Sequence, residues 1–377
     1  MHFACTQENL LQGLSLVSHI TGKNANLPIL ANVLMKVEDG NLTLSTTNLE
    51  MAVTALVRGR AEEGGELTIP AKLLQDYVSL LSPGKIELVA TDDTLEVKAD
   101  GKVTKIKGLA AAEFPLLPKL AKEAGFKIEA ATLREAVNQV TFAVSASESR
   151  PELGGVACFF NSNGGEQTLV MAATDSYRLS ERTVRLLSGS PTQEAKCIVP
   201  SRAMNEVARI LSAYKDDLAT PEEAEWQLTE NQFVLKFGNV EMISRLIEGS
   251  FPDYRQIIPT EFRTVFTVKR TELAKAIRAA SLFARQGLFD VHFDISSEGK
   301  LTVSSADAGT GSHSADLSIE PGLEGNRVTI NYKYITDGLS SMPGDEVSFQ
   351  MIDAMNPVVI RPKDIKDFQY VVMPIRQ

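Results

Sequence analysis

The sequence predicts an α+β protein of three similar domains, each with antiparallel sheets and two helices. Three observations carry this. The stretch "ELTIPAKLLQDYVSLLSPGKIEL" from Glu66 recurs as "KCIVPSRAMNEVARILSA" from Lys196 and as "RVTINYKYITDGLSSMPGDEVSF" from Arg327, a period of about 130 residues. The openings "HFACTQENLLQGLSLV", "FKIEAATLREAVNQV" and "VFTVKRTELAKAIRAA" keep the same beat. Finally, "GKIELVATDDTLEVKADGKVTKIKG" alternates polar and apolar residues between Asp-Asp and Asp-Gly turns, which marks short antiparallel strands.

Taken in order, each third opens on a strand whose Phe3, Phe126 or Phe266 stands seven residues before Leu10, Leu133 or Leu273 in the first helix. A later strand ends in a small polar turn. It reads "NLTLSTTNLEM" from Asn41, "QTLVMAATDSYRL" from Gln167 and "KLTVSSADAGTG" from Lys300, with Asn48, Asp175 and Asp307 in register. A β-rich run then reaches Pro70, Pro200 or Asn331, and a second amphipathic helix follows. The expected helices cover 7–20, 71–82, 131–150, 200–214, 269–286 and 331–342. Such a period is too long for a solenoid module, so each copy reads as a domain: 1–124, 125–258 and 259–377.

With 377 residues, 44% of them hydrophobic, the chain is long enough for two or three independent cores. No basic region followed by an apolar core opens the sequence, and no apolar run approaches a membrane span. The expectation is a cytoplasmic protein with no membrane partner. Cys5, Cys158 and Cys197 are odd in number and far apart in sequence, and read as small core residues rather than a disulfide framework or metal site. His2, His19, His292 and His313 have no metal spacing, and neither a nucleophile motif nor a phosphate-binding glycine motif is present. No metal, no cofactor and no catalytic residue are expected.

The net charge of -10, taken alone, argues against nucleic acid as a partner. Its distribution argues otherwise. The six expected helices hold eleven Lys and Arg against seven Asp and Glu, a net +4 that leaves -14 elsewhere. In the fifth helix, "KRTELAKAIRAASLFARQG", Leu273, Ile277 and Ala280 share one face while Lys275, Arg278 and Leu282 share the other. An outward leucine beside a basic face reads as a subunit contact.

"LPILANVL" from Leu27, "AATDSYRLS" from Ala172, "EGSFPDYRQIIP" from Glu248 and "YVVMPIRQ" from Tyr370 lie in order over essentially the whole chain. Together with the threefold repeat, they resemble the bacterial DNA polymerase III beta subunit family, the sliding clamps. The resemblance implies the DNA clamp fold: a homodimeric ring of six domains, sheets outside and helices lining the hole. It implies a non-catalytic processivity factor that encircles duplex DNA without reading its sequence. Polymerase subunits, the clamp loader and repair proteins would dock by short apolar peptides.

The resemblance also places residues. Walls of the peptide pocket would be Leu153, Leu179, Pro252, Ile257, Val371, Val372, Met373, Pro374 and Ile375, with Thr174, Tyr177, Arg178 and Arg376 as its polar rim and Met355 as its floor. DNA-facing residues would be Lys23, Lys72, Arg150, Arg202, Lys275, Arg278 and Lys333. Charge, rather than the resemblance, places the subunit contact: the strand "GKVTKIKG" from Gly101, basic at Lys102, Lys105 and Lys107 and carrying Ile106, would be steered by Asp290, Asp294 and Glu298 in the third domain of a second subunit, with Leu282 in the joint. Tyr177, Gln256, Pro357 and Gln377 replace residues more frequent in the family.

Two alternatives stay in view. One is a clamp-fold peptide scaffold that does not hold DNA. The other is a hydrolase built on Asp175 beside Ser176, disfavoured because neither has a partner motif and because Asp175 aligns with Asn48 and Asp307 as a turn residue.

Overall fold

The computed structural model describes residues 1–22, 27–117, 125–161, 167–187, 194–214, 220–320 and 324–376. The first third runs β1 (His2–Thr6), α1 (Gln7–Val17), β2 (Asn32–Glu38), β3 (Asn41–Thr47), β4 (Met51–Val57), β5 (Arg60–Glu63), β6 (Gly65–Pro70), α2 (Ala71–Ser79), β7 (Lys85–Thr91), β8 (Thr94–Ala99) and β9 (Lys102–Lys107). The second runs β10 (Phe126–Glu129), α3 (Ala130–Thr141), β11 (Gly155–Phe160), β12 (Thr168–Thr174), β13 (Arg178–Arg185), β14 (Ala195–Pro200), α4 (Ser201–Ala213), β15 (Glu223–Leu228), β16 (Gln232–Phe237) and β17 (Val240–Arg245). The third runs β18 (Thr264–Lys269), α5 (Arg270–Ser281), β19 (Asp290–Ser296), β20 (Lys300–Asp307), β21 (Gly311–Ser318), β22 (Asn326–Asn331), α6 (Tyr332–Ser341), β23 (Glu346–Met351), β24 (Val358–Pro362) and β25 (Phe368–Val372). Apart from β5, each third repeats one order of strands and helices.

The helices start where the sequence places them but stop sooner. α3 ends at Thr141, not 150, because the stretch "VSASESR", Val144 to Arg150, is rich in serines whose side chains bond nearby groups instead of extending the helix. Ser145 Oγ, for example, accepts from the Ser147 amide (3.1 Å). Pro151 also holds Arg150 out of the helical region, at φ -132° and ψ 79°. α5 ends at Ser281 with Leu282 as its cap. Arg150, Lys269, Arg285 and Glu148 therefore fall outside the helices. Within the observed bounds eight Lys and Arg face six Asp and Glu, so the expected +4 becomes +2.

The chain folds into two compact units. The first comprises residues 1–134, 186–191 and 205–246 and holds a five-stranded sheet, β5-β1-β7-β8-β9, and an eight-stranded one, β10-β15-β16-β17-β4-β3-β2-β6. Thr6 caps α1 by accepting from the Asn9 amide (3.2 Å), and Leu10, Leu14 and Val17 form its buried stripe. Trp226, fully buried, packs on Phe233 with ring centroids 4.3 Å apart.

The second unit comprises residues 135–185, 192–204 and 247–377. Its sheets are β14-β11-β12-β13-β25-β24-β23-β18 and β21-β20-β19-β22. Phe266, Leu273, Phe293, Ile335, Phe349 and Tyr370 belong to its main core. Gly338 lets α6 lie on Tyr370: a Cβ there would fall 2.4 Å from the ring.

Each eight-stranded sheet merges two successive thirds. The ladder between β17 and β4 runs from Val240↔Ala55 to Ser244↔Met51, and that between β13 and β25 from Arg178↔Val372 to Arg182↔Phe368. In both, the last strand of one third pairs with the third of the four middle strands of its predecessor. The analogous strands β9 and β21 are left as sheet edges.

Candidate peptide-binding pocket

The pocket is organised by the turn between β12 and β13. Asp175 Oδ1 accepts from the backbone amides of Tyr177 (2.9 Å) and Arg178 (3.0 Å). Thr174 Oγ1 accepts from the Ser176 amide (3.1 Å) and donates to the Arg178 carbonyl (2.6 Å). Ser176 is held at φ +78°, a left-handed conformation that such side-chain bonding supports. The β3–β4 turn repeats this construction: Asn48 Oδ1 accepts from Glu50 (3.0 Å) and Met51 (2.9 Å), and Leu49 sits at φ +75°. Asp175 is thus engaged as a turn former.

This turn directs Tyr177 outward, 62% exposed, and Arg178 inward. Arg178 Nε donates to Asp175 Oδ2 (3.0 Å), one terminal nitrogen donates to Asp337 Oδ2 (2.5 Å) and the other to the Phe142 carbonyl (2.9 Å). Its guanidinium lies 4.8 Å from the Tyr334 ring centroid, a cation–π distance. Burial works against this charge, but the Asp337 and Asp175 carboxylates outweigh it and raise the Arg178 pKa. Tyr334 in turn stacks on Tyr177, centroids 6.5 Å apart and planes 16° from parallel. Burial pushes the Tyr334 hydroxyl above its usual range.

These groups border a cavity of about 460 Å³ lined by Ser176, Tyr177, Gly287, Leu288, Asn331, Tyr334 and the segment Met373 to Arg376. That segment is fixed through its backbone: the Met373 amide donates to the Tyr177 carbonyl and the Ile375 amide to the Thr329 carbonyl, both at 2.8 Å. A largely apolar concavity with a few oriented polar groups suits an extended apolar peptide.

Of the residues assigned to the pocket by resemblance, Tyr177, Met373, Pro374, Ile375 and Arg376 line this cavity. Leu153, Thr174, Leu179, Val371 and Val372 are buried instead. Leu179 and Val371 pair across the ladder and pack with Ala172, Tyr254 and Val359 beneath the surface. Arg178 is a support under the cavity, not a rim residue. Pro252 is half-buried, and Ile257 and Met355 are exposed, outside this cavity. Gly287 and Leu288 carried no sequence signal because they follow a helix expected to run to 286; Tyr334 carried none beyond its amphipathic helix.

Lys72, Arg202 and Lys333 are the second residues of α2, α4 and α6, equivalent places in the three repeats. All three are exposed, as are Lys275 and Arg278 on α5. Lys333 Nζ sits 3.5 Å from the Phe289 ring centroid. Lys23 lies outside the described residues. Arg150 stands off any helix, not at the end of one as expected; it pairs with Glu152 (3.0 Å) and donates to Ser176 Oγ (3.2 Å), beside the pocket turn.

At the β9 edge, strand alternation turns Ile106 inward, 4% exposed, so its side chain is not offered to a partner; Val103, 57% exposed, is. Lys105 and Lys107 already pair with Glu96 (2.7 Å) and Asp93 (2.9 Å) of their own sheet. Asp290 is buried against Arg285 (Nε, 2.9 Å), and Asp294 bonds Arg327. The expected steering of those lysines by Asp290 and Asp294 is therefore replaced by local neutralisation. Leu282 is 74% exposed, and the next residue, Phe283, stacks on His313 of the β21 edge at 6.1 Å.

Three repeats of one strand-and-helix order, with antiparallel sheets shared between successive repeats, make this the three-domain clamp fold. The chain belongs to the DNA polymerase III beta subunit family: models of its N-terminal, central and C-terminal domains match residues 1–118, 127–253 and 255–376. The beta sliding clamp of Synechocystis is 30% identical over 399 residues, covering 100% of this chain and 99% of that protein. Among solved structures, a sliding clamp from Pseudomonas aeruginosa bound to griselimycin superposes with TM-score 0.92 at 26% identity, 100% of each chain covered. The beta subunit of Thermotoga maritima gives 0.90 at 26% identity, covering 100% of this chain and 99% of its own. Among the described residues, no helix is long and apolar enough to cross a membrane.

Proposed function

We propose that this chain is a non-catalytic, cytoplasmic processivity factor. Two copies close a ring around duplex DNA and tether the polymerase, the clamp loader and repair proteins through the pocket at Tyr177 and Met373. Its domains are 1–124, 125–258 and 259–377. The observation that supports ring closure is the pairing rule within the chain. β17 pairs with β4, and β25 with β13; the same rule applied between copies pairs β9 of one with β21 of the other. Two such joints close six repeats, with Val103 and Leu282 as apolar contacts there. The cations at equivalent helix positions meet phosphates and leave the bases unread.

The test is mass in solution together with retention on DNA. The expected result is a dimer that stays on nicked circular DNA and is lost when the circle is cut. A chain that binds partner peptide but is retained on neither form would instead be a peptide scaffold.

A further inference from the structure

The register of β11 against β14 sets Cys158 directly opposite Cys197. The Ile198 carbonyl accepts from the Ile247 amide (2.9 Å), which turns that residue's hydrogen-bonding groups away from β11. Ala157 and Ile198 are then the non-bonded pair, and the two cysteines the hydrogen-bonded pair, with Cα atoms about 5.5 Å apart. Disulfides span Cα separations of about 4.4 to 6.8 Å. Opposed residues also project from the same face of a sheet. β14 is the edge strand of its sheet, so closure can draw it toward β11 without displacing a further strand. Cys158 is buried and Cys197 partly exposed. Burial, and then contact with the Cys197 thiol, push the Cys158 thiol well up. Cys5, the third cysteine, lies on β1 in the other unit, where burial pushes it up to about 12.

We propose that Cys158 and Cys197 form a reversible disulfide site, closed by a peroxide and reopened by a dithiol. Cys197, the accessible thiol, gives up its proton and attacks a peroxide oxygen as its thiolate; the O–O bond breaks, hydroxide leaves and takes up that proton as water, and a sulfenic acid remains. The Cys158 sulfur then attacks the Cys197 sulfur, forming the S–S bond and breaking the S–O bond, and hydroxide leaves with the Cys158 proton as water. Two thiols and one hydrogen peroxide give one disulfide and two waters. The bond staples the edge strand that leads into α4.

Full-length protein is treated with hydrogen peroxide, alkylated, digested without reductant and mapped by mass spectrometry. The expected result is loss of two of the three thiols and a linked peptide pair carrying Cys158 and Cys197, reversed by dithiothreitol. Cys197→Ser should yield no linked pair, and Cys158→Ser should leave Cys197 as a sulfenic acid that a dimedone probe traps. Oxidation of Cys197 with Cys158 still free to alkylate after unfolding would overturn the proposal, as would a Cys197 disulfide between two chains. The wild-type map decides the matter even if a serine variant fails to fold.

Discussion

The carboxylate of Asp337 on α6 stands 2.5 Å from the guanidinium of Arg178 on β13, which ties the turn carrying Tyr177 to the helix carrying Tyr334. Each aromatic wall of the pocket therefore depends on an ion pair beneath it. Arg178→Ala would leave the Phe142 carbonyl and Asp337 without their donor, and should lower stability by about 2 kcal/mol. Peptide affinity should fall with it, because Tyr334 loses the cation on its face. Arg178→Lys should recover part of the stability and less of the affinity, since one ammonium cannot reach three acceptors. Thermal melts and peptide calorimetry on both variants check this; two wild-type curves would mean the ion pair is idle.

Met373→Glu places an acid in the cavity wall while leaving the backbone bond to Tyr177 intact. Loss of a buried anchor costs about 2 kcal/mol or more, so affinity for a Leu- and Phe-bearing partner peptide should fall roughly thirtyfold. Sedimentation and retention on circular DNA should match wild type. Undiminished peptide binding would remove Met373 from the site.

Leu282→Lys should give monomers at micromolar concentration, because an ammonium would enter an apolar joint. Val103→Lys should do the same from the other side. Analytical ultracentrifugation reads both, and a dimer of unchanged stability in either would move the contact elsewhere.

Replacing Lys72, Arg202, Lys275 and Lys333 together with Ala should weaken loading on DNA and flatten its salt dependence, since each phosphate contact given up releases fewer counterions. Peptide binding should persist. Normal loading across a salt series would show that these four side chains face away from the duplex.

The repeat and the helix starts were readable because they are local: a Phe-to-Leu spacing or a Pro before an amphipathic run needs no knowledge of distant residues. Strand partners were not. That β17 pairs with β4 joins residues as distant in sequence as Val240 and Ala55, for which a local pattern holds no record. The same limit misplaced Val371 and Val372. As neighbours on a strand they face opposite ways, and one would expect one of them on a surface. Yet β25 is an interior strand covered on both sides, Val371 by the cluster around Leu179 and Val372 by the core around Phe349. Cys158 and Cys197 were likewise distant in sequence and adjacent only through register.

The open edges β9 and β21 differ from one another, so the contact proposed between them is heterologous: a chain always retains a second, unsatisfied end until the circuit is complete. Such a contact has no intrinsic stopping number. If the turn per subunit missed half a revolution, the same two ladders would propagate a helical fibre, and a lone chain would offer bare hydrogen-bonding rows to any stray strand. Closure at two is therefore also protection against polymerisation, and variants that alter the angle at Leu282 without breaking the joint should be recognised by growing assemblies rather than by free monomers.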